Sequence, residues 1–290
     1  MKPFDYETPE DLDTAIDRLA AAGDDGHLIA GGTAMILLLK QGLIEPSVLI
    51  SLARLTGLAH IRVDDGHVEI GAMVPLRRIE HDPAIRAHLP AVADAVSQVA
   101  TVRIRNQATI GGNLAHADPA QDPPPILLVH DASVVVRGPG GERSIALADL
   151  FVDVFETSIE PDEILVKVLV PIPAPTTRSI YRKFLPRTVD DYATVGVAVR
   201  LQFGPDRTIE AARIALGNAA SIPMRATAGE RALIGGQPSV DLFDVAAGLA
   251  ADAADPGDDI RGTAAYKRRM IRVWTRRALA EAADIAEARP

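Results

Sequence analysis

The sequence predicts an α+β protein in two parts, and three observations carry that prediction. Strand and helix signals interleave as far as Val170, a proline-rich break follows at Pro171-Ile172-Pro173-Ala174-Pro175, and beyond it three strands give way to helices. A chain of 290 residues is long for one hydrophobic core and suits two domains, divided here as 1–175 and 176–290.

Thr8-Pro9-Glu10-Asp11 offers an N-cap with proline at the first helical position. Leu12, Ala15, Ile16, Leu19 and Ala20 then recur at helical spacing until Gly23, which predicts an amphipathic first helix. A short strand over Leu28 to Ala30, a helix over Ala34 to Lys40 and a strand over Val48 to Leu52 make a small βαβ unit. Ile61 to Val63 and Val68 to Ile70 alternate around Asp64-Asp65-Gly66-His67 and predict a hairpin. Helical spacing resumes from Ile85 to Val99. The prolines at 123–125 require an extended or first-turn geometry before Ile126 to His130. A second hairpin joins Ser133 to Val136 with Ser144 to Leu147, and Ile164 to Val170 is a further strand. After the proline break, Ile180 to Phe184, Thr194 to Phe203 and Arg207 to Leu216 pattern as antiparallel strands. Helices follow at Met224 to Leu233, Val240 to Ala253 and Thr263 to Glu287.

Composition narrows the function. Hydrophobic residues make up 48% and aromatics only 4%, so Ala, Val, Leu and Ile build the core and any exposed aromatic is a ligand-contact candidate. A net charge of −9 argues against a nucleic-acid partner, which selects a basic face. No run of 18 apolar residues exists and Met1 to Asp5 lacks a signal-peptide stretch, which predicts a cytoplasmic protein without membrane insertion. The absence of cysteine excludes thiolate catalysis and Cys-ligated zinc or iron–sulfur sites from this chain. None of the seven histidines stands in a compact metal pattern, so no metal ligand is expected.

Two glycine pairs stand out, each expected at a strand-to-loop junction and about 80 residues apart: Ile29-Ala30-Gly31-Gly32-Thr33-Ala34, before a helix, and Thr109-Ile110-Gly111-Gly112-Asn113. Glycine permits a close approach of main chain to a bulky anion, and a helix N-terminus favours phosphate, so the pairs suggest one pyrophosphate held between two loops. Neither pair has the G-x-G-x-x-G spacing of a Rossmann site, and each alone also reads as a tight turn. The second is followed by His116 and by Asp122, an acceptor suited to ribose hydroxyls or equally to capping a turn.

With Pro161-Asp162-Glu163-Ile164-Leu165, Lys183, Asp190-Asp191-Tyr192-Ala193 and Tyr266-Lys267-Arg268-Arg269, these motifs resemble the flavin-binding (medium) subunit of the molybdenum hydroxylases, the family of xanthine dehydrogenase and aerobic carbon monoxide dehydrogenase. The resemblance covers nearly the whole chain. It implies a two-lobed α/β FAD-binding domain of the PCMH type, with lobes of about 1–53 and 54–175, followed by a small antiparallel sheet with a helical bundle. Ile29 to Ala34 and Thr109 to Asn113 would hold the FAD pyrophosphate, with Asp122 at the ribose and Leu165 near the adenine. Lys183 would lie close to the cofactor, Tyr192 against the isoalloxazine, and His116 within reach of either. Three departures, Ala34, Ala108 and Gln121, stand where relatives often carry Ser or Asp, Gly, and Ser or Asn, and the first removes one side-chain contact to phosphate.

The resemblance further implies an oxidoreductase subunit without catalytic residues of its own. FAD would receive electrons from [2Fe-2S] clusters on a small subunit, substrate being oxidised at a molybdenum cofactor on a large one, in a dimer of heterotrimers, a heterohexamer. A self-contained flavin oxidoreductase and an empty scaffold are the alternatives that the residues leave open. The basic run Lys267, Arg268, Arg269, Arg272, Arg276 and Arg277 reads either as a solvated helix face or as a docking surface for an acidic partner.

Overall fold

The computed structural model describes residues 2–186, 188 and 190–285. Strands β1 (Asp5–Glu7), β2 (Gly26–Ile29) and β3 (Val48–Ser51) form a parallel sheet in the order β1-β3-β2, with α1 (Leu12–Ala22) and α2 (Met35–Gln41) as its helices. The βαβ unit is therefore present as predicted. Helix α1 begins later than the Thr8-Pro9 signal suggests. The carboxylate of Asp11 accepts from both the N–H and the Oγ1 of Thr14, each at 2.8 Å, a two-point cap that a threonine hydroxyl cannot match.

An antiparallel sheet follows, with its intervening segments largely helical. Its chain order is β4 (Ile61–Asp64), β5 (His67–Gly71), α3 (Leu76–His81), α4 (Pro83–His88), α5 (Pro90–Ser97), α6 (Val102–Gln107), α7 (Ile110–His116), α8 (Pro123–Val129), β6 (Ser133–Gly138), β7 (Gly141–Ala146), α9 (Leu147–Leu150), the small ribbon β8 (Phe151–Asp153) and β9 (Glu156–Thr157), then β10 (Ile164–Pro171). The strands are ordered β4-β5-β10-β6-β7, so the last strand in sequence lies at the centre. Both predicted hairpins pair in register. The helical stretch predicted over Ile85 to Val99 is two helices, because Pro90 cannot donate within a helix and restarts one at its first position. All three prolines at 123–125 lie in the first turn of α8, where their missing N–H groups leave nothing unpaired.

The remaining sheet is β11 (Thr177–Phe184), β12 (Val195–Phe203), β13 (Ile209–Gly217) and β14 (Met224–Arg225), in that order and antiparallel. Helices α10 (Thr227–Leu233), α11 (Val240–Ala253) and α12 (Ala264–Ala282) follow. Met224 and Arg225 pair with Leu216 and Ala215 as a strand and do not start the helix predicted from Met224. The predicted end of the last helix, Glu287, lies outside the described residues.

Side-chain alternation gives this sheet two working faces. Val195, Val197, Val199 and Leu201 join Ile214, Leu216, Phe243, Ile271 and Leu279 in a core beneath the helices. On the opposite face Ala198 and Ala215 join Tyr181 in the same core as Ile126, Leu127 and Val129 of α8. Ala198, Ala215 and Gly217 are small because α8 comes close: a Cβ on Gly217 would lie 3.0 Å from Pro125 Cγ.

Candidate functional site

The two glycine motifs meet. A Cβ on Gly112 would stand 3.4 Å from the Cβ of Ala30, and one on Gly31 would stand 1.8 Å from the carbonyl oxygen of Gln107, two residues before Thr109. Gly111 is pressed against Ala72, whose Cβ would be 2.6 Å away, and Gly32 has φ +73°. Gly31 and Gly111 are thus required by the approach of chain to chain, and Gly32 by its conformation.

The two loops differ in what they offer a ligand. Thr109 and the second glycine pair form the cap and first turn of α7, with no strand before them, contrary to the strand-to-loop junction expected there. Their amides are engaged within the chain: Ile110 N–H donates to Val74 O, Gly111 to Ala72 O at 2.9 Å, Gly112 to Thr109 Oγ1 and Asn113 to Thr109 O. For the amides of Gly31, Gly32, Thr33 and Ala34 there is no acceptor among the described residues. The first loop therefore carries the free donors. The second supplies packing and the Asn113 side chain, whose buried Oδ1 has no partner among the described residues.

Asp122 and Lys183 come together as a buried ion pair at 2.9 Å, their side chains 5% and 4% exposed. Tyr181 donates its hydroxyl to the other carboxylate oxygen at 2.6 Å, and Lys183 Nζ also donates to Gln98 O at 2.9 Å. Burial raises the Asp122 carboxyl above its ordinary range, opposed by the Lys183 ammonium and by both hydrogen bonds. The carboxylate thus positions Lys183, and since each oxygen makes a single bond, it keeps acceptor capacity for the ribose hydroxyl expected of it. Lys183 borders a cavity of about 570 Å³ whose wall includes Gln98, Ala100, Thr101 and Arg105. Helix α6, which contributes Val102 and Arg105 to that wall, ends at the Gln107 carbonyl that abuts Gly31.

Tyr192 is 42% exposed, with the guanidinium of Arg261 over its ring at 5.5 Å from the centroid. Arg261 is held by Asp191 at 2.6 Å, and the same Asp191 oxygen accepts the Tyr192 amide. Burial raises the Tyr192 phenol, and the negative charge of Asp118 adds to this. His116 ends α7 with its ring 5.1 Å from that of Phe155, and burial lowers its pKa. Leu165 is buried in β10, at a bulge between Leu165 and Lys167 that lets Val166 O accept from Ala72 N–H beneath Gly111. Sequence reasoning missed Gln98 and Arg105, which lie in the cavity wall beside Lys183, and Arg261, which lies over Tyr192. No local signal sets Arg105, flanked by Ile104 and Asn106, apart from its neighbour Arg103.

The basic run on α12 is exposed or half-buried apart from Lys267 and is laced with local partners. Lys267 is 2% exposed and bonded to Asp259 at 2.8 Å, Arg268 pairs with Asp255, Arg272 and Arg276 lie against Asp244, and Arg277 sits over Trp274. Arg268 and Arg272 keep side chains 45% and 55% exposed despite these pairs, in keeping with a solvated helix face.

These features fit a dinucleotide. A stretch of unbonded amides suits a pyrophosphate, an orphaned amide oxygen at Asn113 suits a hydroxyl or amine, and the cavity beside Lys183 has room for a fused ring system.

Comparison with known proteins agrees. Residues 2–173 match the family described as FAD binding domain in molybdopterin dehydrogenase, and residues 180–282 match the CO dehydrogenase flavoprotein C-terminal domain. The chain is 36% identical to the 6-hydroxypseudooxynicotine dehydrogenase complex subunit alpha of Paenarthrobacter nicotinovorans, over 100% of this chain and 98% of that one. It is 33% identical to the carbon monoxide dehydrogenase medium chain of Hydrogenophaga pseudoflava, over 95% and 96%. The solved carbon monoxide dehydrogenase of the latter organism superimposes with a TM-score of 0.94 at 35% identity, covering 97% of this chain and 98% of that one. Quinoline 2-oxidoreductase from Pseudomonas putida 86 does so with 0.91 at 32%, covering 98% and 99%.

Proposed function

Because the chain belongs to the FAD-binding medium subunits of the molybdenum hydroxylase family, we propose that it holds FAD noncovalently and passes electrons from a partner's iron–sulfur clusters to an external acceptor. The observation that carries this is the meeting of the two glycine motifs, with the amides of residues 31–34 left without acceptors among the described residues. Ile29 to Ala34 hold the pyrophosphate by backbone donation, which needs no side chain at Ala34. Thr109 to Asn113 fix that loop from behind and present Asn113. Asp122 binds at the ribose and orients Lys183, which borders the cavity for the flavin ring; Tyr192 lies against that ring, and His116 reaches the flavin or the pyrophosphate. Leu165 backs the adenine end.

FAD, when bound, exchanges electrons singly with clusters and in pairs with an acceptor. The chain's own residues bind, orient and shield it. Having no cysteine, the chain leaves the clusters to a small subunit, and the molybdenum cofactor belongs to a large one, as the relatives' names, medium chain and complex subunit, support. We assign 1–175 (lobes 1–53 and 54–175) to the FAD domain and 176–290 to the C-terminal domain, in a cytoplasmic dimer of heterotrimers. Among the described residues no helix is long and apolar enough to cross a membrane.

The test is to coexpress the chain with its chromosomal neighbours, purify it, and assay flavin, iron and molybdenum. The expected result is FAD in this chain with iron and molybdenum in copurifying subunits. A colourless protein that takes up no FAD would overturn the proposal.

A further inference from the structure

Arg105, which lines the cavity beside Lys183, is one half of a buried ion pair with Glu80. Arg105 is 7% exposed, and its Nε donates to Glu80 Oε2 at 3.0 Å, while the other oxygen of Glu80 accepts from Arg77 at 2.7 Å. Burial raises the Glu80 carboxyl, but hydrogen bonds from Arg77 and Arg105 outweigh that and hold it below its ordinary value. The Nη1 of Arg105 reaches two successive carbonyls, Val99 O at 2.8 Å and Ala100 O at 3.0 Å. Between those carbonyls Ala100 has φ +39°, a left-handed conformation that alanine adopts at a cost. Such strain persists where surrounding contacts over-determine it. Here they do, since the preceding carbonyl, Gln98 O, is taken by Lys183. Three consecutive carbonyls are thus fixed by two buried cations, and Gln98, Ala100 and both cations border the same cavity of about 570 Å³.

We propose that Glu80 and Arg105 are positioning residues for the flavin ring: they hold the strained Gln98 to Ala100 turn as a preformed wall of the cavity beside Lys183. The inference rests on the reading that this cavity takes the ring. A rigid wall spares a flat ligand the ordering of its own site, so loosening the clamp weakens ring binding and leaves the adenosine diphosphate half untouched.

FAD and ADP distinguish the two halves. The chain, purified with its copurifying subunits and stripped of flavin, is titrated with each ligand, unmodified and as Arg105→Gln. That substitution leaves Glu80 paired with Arg77 and so creates no lone buried charge. Affinity for FAD falls about tenfold, affinity for ADP stays within about twofold, and Arg105→Lys recovers part of the loss. If Arg105→Gln does not fold, Glu80→Gln gives the same split with a smaller FAD loss. Equal losses for both ligands, or none, overturn the proposal while leaving the cavity assignment standing. An unmodified protein that binds FAD no tighter than ADP removes the cavity assignment, and the proposal with it.

Discussion

His130 is 1% exposed, and neither ring nitrogen has a partner among the described residues. Burial, with the Arg200 charge, lowers its pKa from 6.5 to about 4, against the opposing pull of Asp131. Because the folded value is the depressed one, the unfolded chain binds the extra proton first. The stability involved is fully present above about pH 6.5 and lost as the pH falls toward 4, amounting to about 3 kcal/mol. The stability difference between wild type and His130→Leu, from urea unfolding, should therefore shift by about that much between pH 7 and pH 4. A pH-independent difference would refute it. Lys183 makes a second case at this scale. Lys183→Met leaves the buried Asp122 carboxylate with only the Tyr181 hydroxyl and should cost about 3–5 kcal/mol, of which the double variant with Asp122→Asn regains more than half. A loss under about 1 kcal/mol in the single variant would show the pair to be solvated. The sequence reading named both partners without joining them, because residues 61 positions apart share no local periodicity.

At the scale of elements, the two glycine motifs divide by what their missing side chains would strike. A methyl on Gly31 would meet backbone, the Gln107 carbonyl at 1.8 Å, so the first loop or α6 must move bodily. On Gly112 it would meet the Thr109 hydroxyl at 3.0 Å and the Ala30 methyl at 3.4 Å, which a small shift relieves. Gly31→Ala should lower stability by more than about 2 kcal/mol and abolish FAD uptake, whereas Gly112→Ala should cost under about 1 kcal/mol and retain cofactor. Comparable effects from the two, by thermal unfolding and flavin content, would mean that the loops do not meet as described. The motifs, hairpins and βαβ unit were legible in the sequence because turn glycines and strict alternation report local geometry. Helices α3, α6 and α7 were not, since six or seven residues hold too few turns to show a period, and α7 carries in its first turn two glycines that signal a loop.

At the scale of the molecule, the proline break at 171–175 marks a change of architecture, yet the packing does not stop there. Helix α8 lies wholly before it and is buried along its length, with Ile126, Leu127 and Val129 in one core with Tyr181, Ala198 and Ala215 from beyond the break. Asp122, at the head of that helix, meets Tyr181 and Lys183 across the same seam. A sequence pattern locates such a boundary from the prolines but cannot weigh the contact across it, which depends on small residues such as Ala198 and Gly217 lying on one face of a distant sheet. Expressed alone, residues 1–175 would expose the apolar surface of α8 and a lone Asp122 carboxylate. We expect that fragment to bind a hydrophobic dye and to lack a cooperative thermal transition, and both to be corrected by mixing with residues 176–290. A fragment 1–175 that unfolds cooperatively by itself and takes up FAD would show that the C-terminal sheet is an appendage, and that Lys183 is dispensable for holding the cofactor.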